Sequence, residues 1–386
     1  MAGCATRVPL IGLRRAIGLL SAAMLLAMAL PAAAQWYGPL PNPPQGALQL
    51  TPIWTRIADR NGEAGGTEVA VMTRYGHYVV TGSKYDNQII LWRMDDASIV
   101  WRRTVDQEVE AIAFSPDGSH FVAVGEDAVI RLMRTSDGET VQALPTDFAL
   151  DSVAWSHGGQ TVIAGEEDSG NLHMFSADAG FARLTPLRVL DAGRTINSID
   201  FTSDDSRFVA GGDEGVVRLY DTASGESLRR MERHDRSIKS VRFSPDDSLI
   251  LSGGAEGTTK LWNAETGELI KSMNQPGYIE AVEFAPDGRH FFVGGMPMQI
   301  RVFRTADFLT GMPRRDMDDI ADLGLVLSIP SYSTEYIHFH ESGAMVSAHE
   351  DGLVRTWLWT SDPTINRRSH LELRRQQDEA ASQRAD

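Results

Sequence analysis

Histidine is scarce in this chain, and its one concentration falls late, at His338, His340 and the pair His349-Glu350. On an extended strand His338 and His340 share a face, and His349 ends the next extended run. Two or three converging imidazoles are a donor set for zinc or copper, so metal binding is the first chemistry to weigh. No fixed ligand spacing accompanies them, and the competing reading packs one histidine between neighbouring elements and leaves the others capping loops. Asp316, Asp318, Asp319 and Asp322 offer oxygen ligands to a hard cation. They lack the alternation, glycine and distal glutamate of an EF-hand, so they read as a solvated acidic loop with Asp at a helix start. There is no G-x-S-x-G, no phosphate-binding glycine loop and no H-E-x-x-H. No catalytic residue, cofactor or resident metal is expected.

The single cysteine, Cys4, belongs to a segment with the three parts of a secretory signal. Arg7, Arg14 and Arg15 precede an apolar run from Ala16 to Leu30, and Pro31-Ala32-Ala33-Ala34 supplies small residues for cleavage. Residues 1–34 are therefore expected to be removed, leaving an exported protein, periplasmic or secreted, with no membrane span. Their loss removes three arginines and no acids, so the formal charge of −16 deepens to −19. A chain this acidic has no general grip on phosphate backbones, so nucleic acid is excluded as a partner. Without cysteine the mature chain has no disulfide, thiol nucleophile or thiolate metal site.

The elements that must position any site form a repeat. An apolar-x-aromatic strand end, a turn, a short apolar run closing on a small residue and Gly, an acidic loop and a further apolar strand recur seven times. The first anchor falls at Met72, Phe114, Trp155, Phe201, Phe243, Phe284 and Phe339, the second at Trp92, Met133, Phe175, Tyr220, Trp262, Phe303 and Trp357. Successive first anchors lie 42, 41, 46, 42, 41 and 55 residues apart. In the fifth copy Ile238 to Phe243 alternates with period two, Ser244-Pro245-Asp246-Asp247 turns the chain, and strands begin again at Leu249, Thr259 and Leu269. Four short antiparallel strands make one blade, which cannot bury both faces alone, so an all-β, seven-bladed propeller over residues 50–360 is expected. The seventh copy lacks its fourth strand, and Leu50 to Ile57 is expected to supply it and close the ring. Outside the blades stand a Pro-rich linker at 35–49, surplus residues at 305–331, and a polar tail at 361–386, disordered or a short helix.

These residues resemble the WD40 repeat family. The fifth copy carries His234, Phe243-Ser244-Pro245-Asp246, Ser252-Gly253, Glu256-Gly257 and Leu261-Trp262-Asn263. The resemblance implies a structural tetrad of His234, Ser252, Glu256 and Trp262, with Glu256 where the family has Asp. Other copies keep fragments: Thr81, Asp86 and Trp92 in the first, Asp127 in the second, Asp168 in the third, Glu214 with Tyr220 in the fourth.

A non-catalytic platform binding another protein through a rim is the expected function. The loops between second and third strands share one face and carry Asp86, Asp127, Asp168, Glu214 and Asp351, while the sixth copy has Met296, Met298 and Gln299 instead. These are the candidate partner contacts. The opposite turns are acidic too, at Asp117, Asp204, Asp246 and Asp287, so charge alone does not choose a face. The alternative is a small-molecule or metal-binding propeller, or a hydrolase, using the central channel or the His338, His340 and His349 group.

Overall fold

The structure is a computed structural model describing residues 49–58, 66–231, 234–275, 277–296, 299–310, 325–330, 333–340 and 342–360. The expected signal at 1–34, the linker up to residue 48, Met298, the acidic loop at 316–322 and the tail at 361–386 lie outside the described residues.

Seven four-stranded antiparallel sheets follow one another along the chain. In each, strand a lies innermost and strand d outermost. The inner strands are Thr67–Met72, Val109–Phe114, Leu150–Trp155, Ile196–Phe201, Ile238–Phe243, Ile279–Phe284 and Thr334–Phe339. Both anchors of every copy pair with one strand b residue between them: Val79, Phe121, Val162, Phe208, Ile250, Phe291 or Met345. All seven of these are 0% exposed. Burial of such a side chain contributes roughly 1.5–3 kcal/mol, which explains why the anchors recur.

The core is divided among the interfaces between blades. Val69, Val80 and Leu91 of blade 1 meet Ile112 and Phe121 of blade 2, and a comparable apolar cluster fills every other interface, including that between blades 7 and 1. A blade has no core without its neighbours, so the ring stands or falls as a closed object.

Closure uses the N-terminal strand. Gln49–Ile57 pairs antiparallel with Leu353–Thr360 as the fourth strand of blade 7, from Gln49 opposite Thr360 to Ile57 opposite Leu353. The register shifts between Pro52 and Trp54, where proline has no N–H to give the ladder. Trp54 then crosses into blade 1, its indole N–H donating to Met94 O at 2.9 Å and its ring 6.3 Å from that of Trp92.

Blade 6 departs from the sequence expectation. Residues 305–331 were expected to stand outside the blades, yet Leu325–Pro330 is the outer strand of this sheet, pairing with Gln299–Arg304. A helix, Thr305–Thr310, begins directly after Arg304, and its Phe308 packs 5.1 Å from the Phe291 ring. The fourth strand is displaced along the chain, so a fixed spacing from the second anchor does not find it.

Candidate functional site: the central channel

Every inner strand begins with the same irregularity. Its register against strand b slips after the first residue, leaving the second unpaired in a bulge. The seven bulge residues are Glu68, Glu110, Asp151, Asn197, Lys239, Glu280 and Glu335, each four residues before a first anchor. All seven line one cavity on the axis of the ring, of about 140 Å³. Five carboxylates thus face one lysine and one amide around a channel mouth.

Low-dielectric surroundings and mutual repulsion make four of them, Glu110, Asp151, Glu280 and Glu335, hold protons. Burial, reinforced by Glu68, Glu108 and Asp151, pushes Glu110 up to about 10. Burial and then Glu68 and Glu280 raise Glu335 to about 8, and burial with Glu167 raises Asp151 to about 7. Glu280 is raised too, chiefly by burial. Glu68, Glu108 and Glu110 bring oxygens within 4.8 Å of one another, the only such grouping of potential metal ligands among the described residues. The Lys84 ammonium already bonds Glu68 and lies 3.2 Å from Glu108, so a cation is built into that corner.

Arg242 forms the cavity floor from blade 5. It donates to Ser198 Oγ of blade 4 at 2.9 Å, to Glu283 Oε2 of blade 6 at 3.0 Å and to Tyr336 Oη of blade 7 at 3.3 Å. Burial opposes its charge, but Tyr336, Glu283 and Asp200 hold it protonated above its ordinary range. Burial pushes Glu283 up to about 7 despite this partner. One guanidinium ties four blades together across the axis.

The structure does not bring the three candidate histidines together. His338 lies beside Arg242, and burial, then Arg242 and His340, push it down to about 3, so it is neutral. His340 bonds Ser342 Oγ at 2.7 Å and reaches Arg74 O in blade 1. His349 is 0% exposed, its Nε2 hydrogen-bonded with Ser347 Oγ at 2.7 Å, while Ser347 Oγ accepts from the Trp357 indole at 2.8 Å. This is the relay of blade 5, where the Trp262 indole donates to Ser252 Oγ at 2.9 Å, Ser252 to His234 Nε2 at 2.7 Å, and His234 Nδ1–H to Glu256 Oε1 at 2.6 Å. Blade 7 builds it with an imidazole from the end of strand b, and blade 1 keeps only the Trp92 bond to Thr81 Oγ1 at 3.0 Å. Carboxylate, imidazole and hydroxyl in that order mimic a nucleophilic triad. His234 and Ser252 are 0% exposed, so no substrate atom reaches them.

The candidate contact acids are mostly engaged already. Asp127, Glu214 and Asp351 each pair with an arginine four residues on, Arg131, Arg218 and Arg355, at 2.6 Å in the first and last cases. Asp86 is half-buried and bonded, whereas Asp168 is exposed. Met296 and Gln299 are half-buried. The channel carboxylates went unread in the sequence, although their column is visible there at a constant offset from the first anchors.

Comparison with known proteins agrees with the repeat. Residues 184–221 and 225–263 match the family model "WD domain, G-beta repeat", and residues 80–158 match "Anaphase-promoting complex subunit 4 WD40 domain". Among curated proteins the chain is similar to "Eukaryotic translation initiation factor 3 subunit I" of Aspergillus terreus, 30% identical over 184 residues, which is 43% of this chain and 54% of that one. The same subunit of Neosartorya fischeri is 32% identical over 188 residues, 43% and 54% of the two chains. That of Kluyveromyces lactis is 24% identical over 191 residues, 45% and 53%. The chain thus spans about half the length of the curated relatives it matches. These matches support WD40 repeats as the building unit of the chain.

Proposed function

We propose that this protein is a non-catalytic platform that binds another protein through a face of the ring, and that it works outside the cytoplasm after losing residues 1–34. The observation that carries the platform reading is that the groups with catalytic order, His234 with Ser252 and His349 with Ser347, are sealed between strands, while the exposed faces are loops on a closed ring. Rigid loops on a closed scaffold suit recognition. Export rests on the Arg-rich start, the apolar run and Pro31 to Ala34.

Cells expressing the full chain with a C-terminal tag test both parts. Expected are a mature N-terminus at Gln35, tagged protein in the periplasm or medium, and a partner that co-elutes with it in fixed ratio. The relatives named as subunits of a translation factor favour a second reading, a subunit of a cytoplasmic assembly. Tagged protein that keeps residues 1–34 and sediments with ribosomes would establish that reading and overturn export. A purified protein that turns over a substrate would overturn the platform.

A further inference from the structure

Which face binds, and what it binds, can be argued from where charge is left uncommitted. On the face carrying the turns between strands a and b, Asp117, Asp204, Asp246 and Asp287 each accept a backbone N–H of their own turn at 2.9–3.2 Å. That face also receives both ends of the described chain, since Gln49 and Thr360 are paired there. On the other face, Asp127, Glu214 and Asp351 are neutralised by arginines of strand c. Further carboxyls with no arginine partner lie inward of them, at the channel mouth, where burial and repulsion keep several protonated until a cation arrives.

Three exposed aromatic side chains stand on that same face. Phe148, 44% exposed, and Tyr278, 38%, sit on the loops entering the inner strands of blades 3 and 6, three and two residues before Asp151 and Glu280. Tyr85, 48% exposed, follows Lys84 in the loop between strands b and c of blade 1. Exposed aromatic rings are what protein-binding surfaces hold in excess, and beside carboxylates they suit a cation carried on an apolar stem.

We propose that this face docks a basic segment of the partner protein, with one arginine or lysine side chain entering the channel mouth among Glu110, Asp151, Glu280 and Glu335. The inference rests on the platform reading and names the face and the chemistry of the partner. Size supports it. A cavity of about 140 Å³ holds the head and stem of one long side chain, whereas sites for free small molecules occupy about 300–1,000 Å³. Partial protonation of the ring supports it as well, because an arriving cation gives those carboxyls a reason to ionise.

The test is fluorescence anisotropy with labelled octa-arginine at about 0.15 M salt. At about pH 8.5, where the mouth carboxyls ionise, Glu280→Gln/Glu335→Gln removes two carboxylates from the mouth, and Glu139→Gln/Glu265→Gln removes two from exposed turns of the opposite face. The mouth variant is expected to weaken binding about tenfold, and the opposite-face variant by less than about twofold. Phe148→Ala/Tyr278→Ala, with charge unchanged, is expected to weaken it several-fold. Equal losses in the two Gln pairs would reduce the effect to the overall field, and absence of saturable binding by the native protein would equally overturn the proposal. A native protein that ignores octa-arginine but still co-elutes with a partner would sink this inference and leave the platform standing.

Discussion

Asp247 shows how a single side chain can hold one blade to the next. The fourth position of the turn between strands a and b has a left-handed backbone throughout, with glycine at Gly76, Gly118, Gly159, Gly288 and Gly343, but aspartate at Asp205 and Asp247, φ 60° and 59°. A Cβ there costs about 1 kcal/mol relative to glycine. The cost is offset across the blade interface. Asp247 accepts the Ser203 N–H at 2.9 Å and its hydroxyl at 2.5 Å, and Asp205 accepts the N–H groups of His157 and Gly158 at 2.7 and 2.6 Å. Asp247→Ala keeps the backbone strain and loses the bonds, so about 2–3 kcal/mol of destabilisation is expected. Asp247→Gly loses the same bonds but relieves the strain, so its loss should be about 1 kcal/mol smaller. Urea midpoints of the two variants decide it: if glycine is no better tolerated than alanine, strain at Asp247 is not what the carboxylate offsets.

The blade is the element whose details divide into readable and hidden. Anchor residues are readable because burial forces apolar side chains to recur, and the closing strand because a missing fourth strand leaves an edge to cover. The glycine that closes the short apolar run of a repeat, as at Gly212, is readable too, and the close packing behind it makes a prediction. A Cβ on Gly212 would stand 1.8 Å from Thr195 O, where strand b of blade 4 ends against the entry of its own inner strand, whereas one on Gly180 would meet nothing within 4 Å. Gly212→Ala is therefore expected to cost several kcal/mol and Gly180→Ala close to nothing, compared by thermal unfolding. Similar losses in both would mean that the strand end gives way freely. The channel residues were hidden because Glu110 or Glu335 beside alternating apolar neighbours looks like the wet side of a half-buried strand, which in an open sheet it would be. Only closure of the ring turns that side inward. Arg131, His173, Arg218, Lys260, Arg301 and Arg355 were overlooked likewise, each two residues before a second anchor and set to neutralise or pack against its own blade. His349 drew the eye as a ligand because sequence shows imidazoles in a row and not the serine and indole that engage it.

At the scale of the whole molecule the ring gathers charges that no single blade would hold together, and pH should expose this. In an unfolded chain carboxyls titrate at about 4. Burial holds Asp151 of the channel and Glu283 behind Arg242 to about 7, Glu335 to about 8 and Glu110 to about 10. Between those limits the folded protein binds more protons than the unfolded one, so stability falls as pH rises, beginning above about 4 and continuing through the raised values. Carboxyls whose values are lowered, such as Asp204 at about 2 through its bonds with Ser206, act in the opposite sense only below that window, and His338, held at about 3, offsets one of the raised carboxyls up to about pH 6.5 but not above it. The melting temperature is therefore expected to be higher at about pH 6 than at about pH 8.5, and Glu110→Gln/Glu335→Gln should raise it at the higher pH and flatten the slope. A melting temperature that climbs over this interval, or a slope the double variant leaves unchanged, would show that the channel does not store protons. If a partner's cation enters the mouth, it replaces those protons. Octa-arginine should then raise the melting temperature more at about pH 8.5, where the ring is charged and repels itself, than at about pH 6, where protons already quench the repulsion.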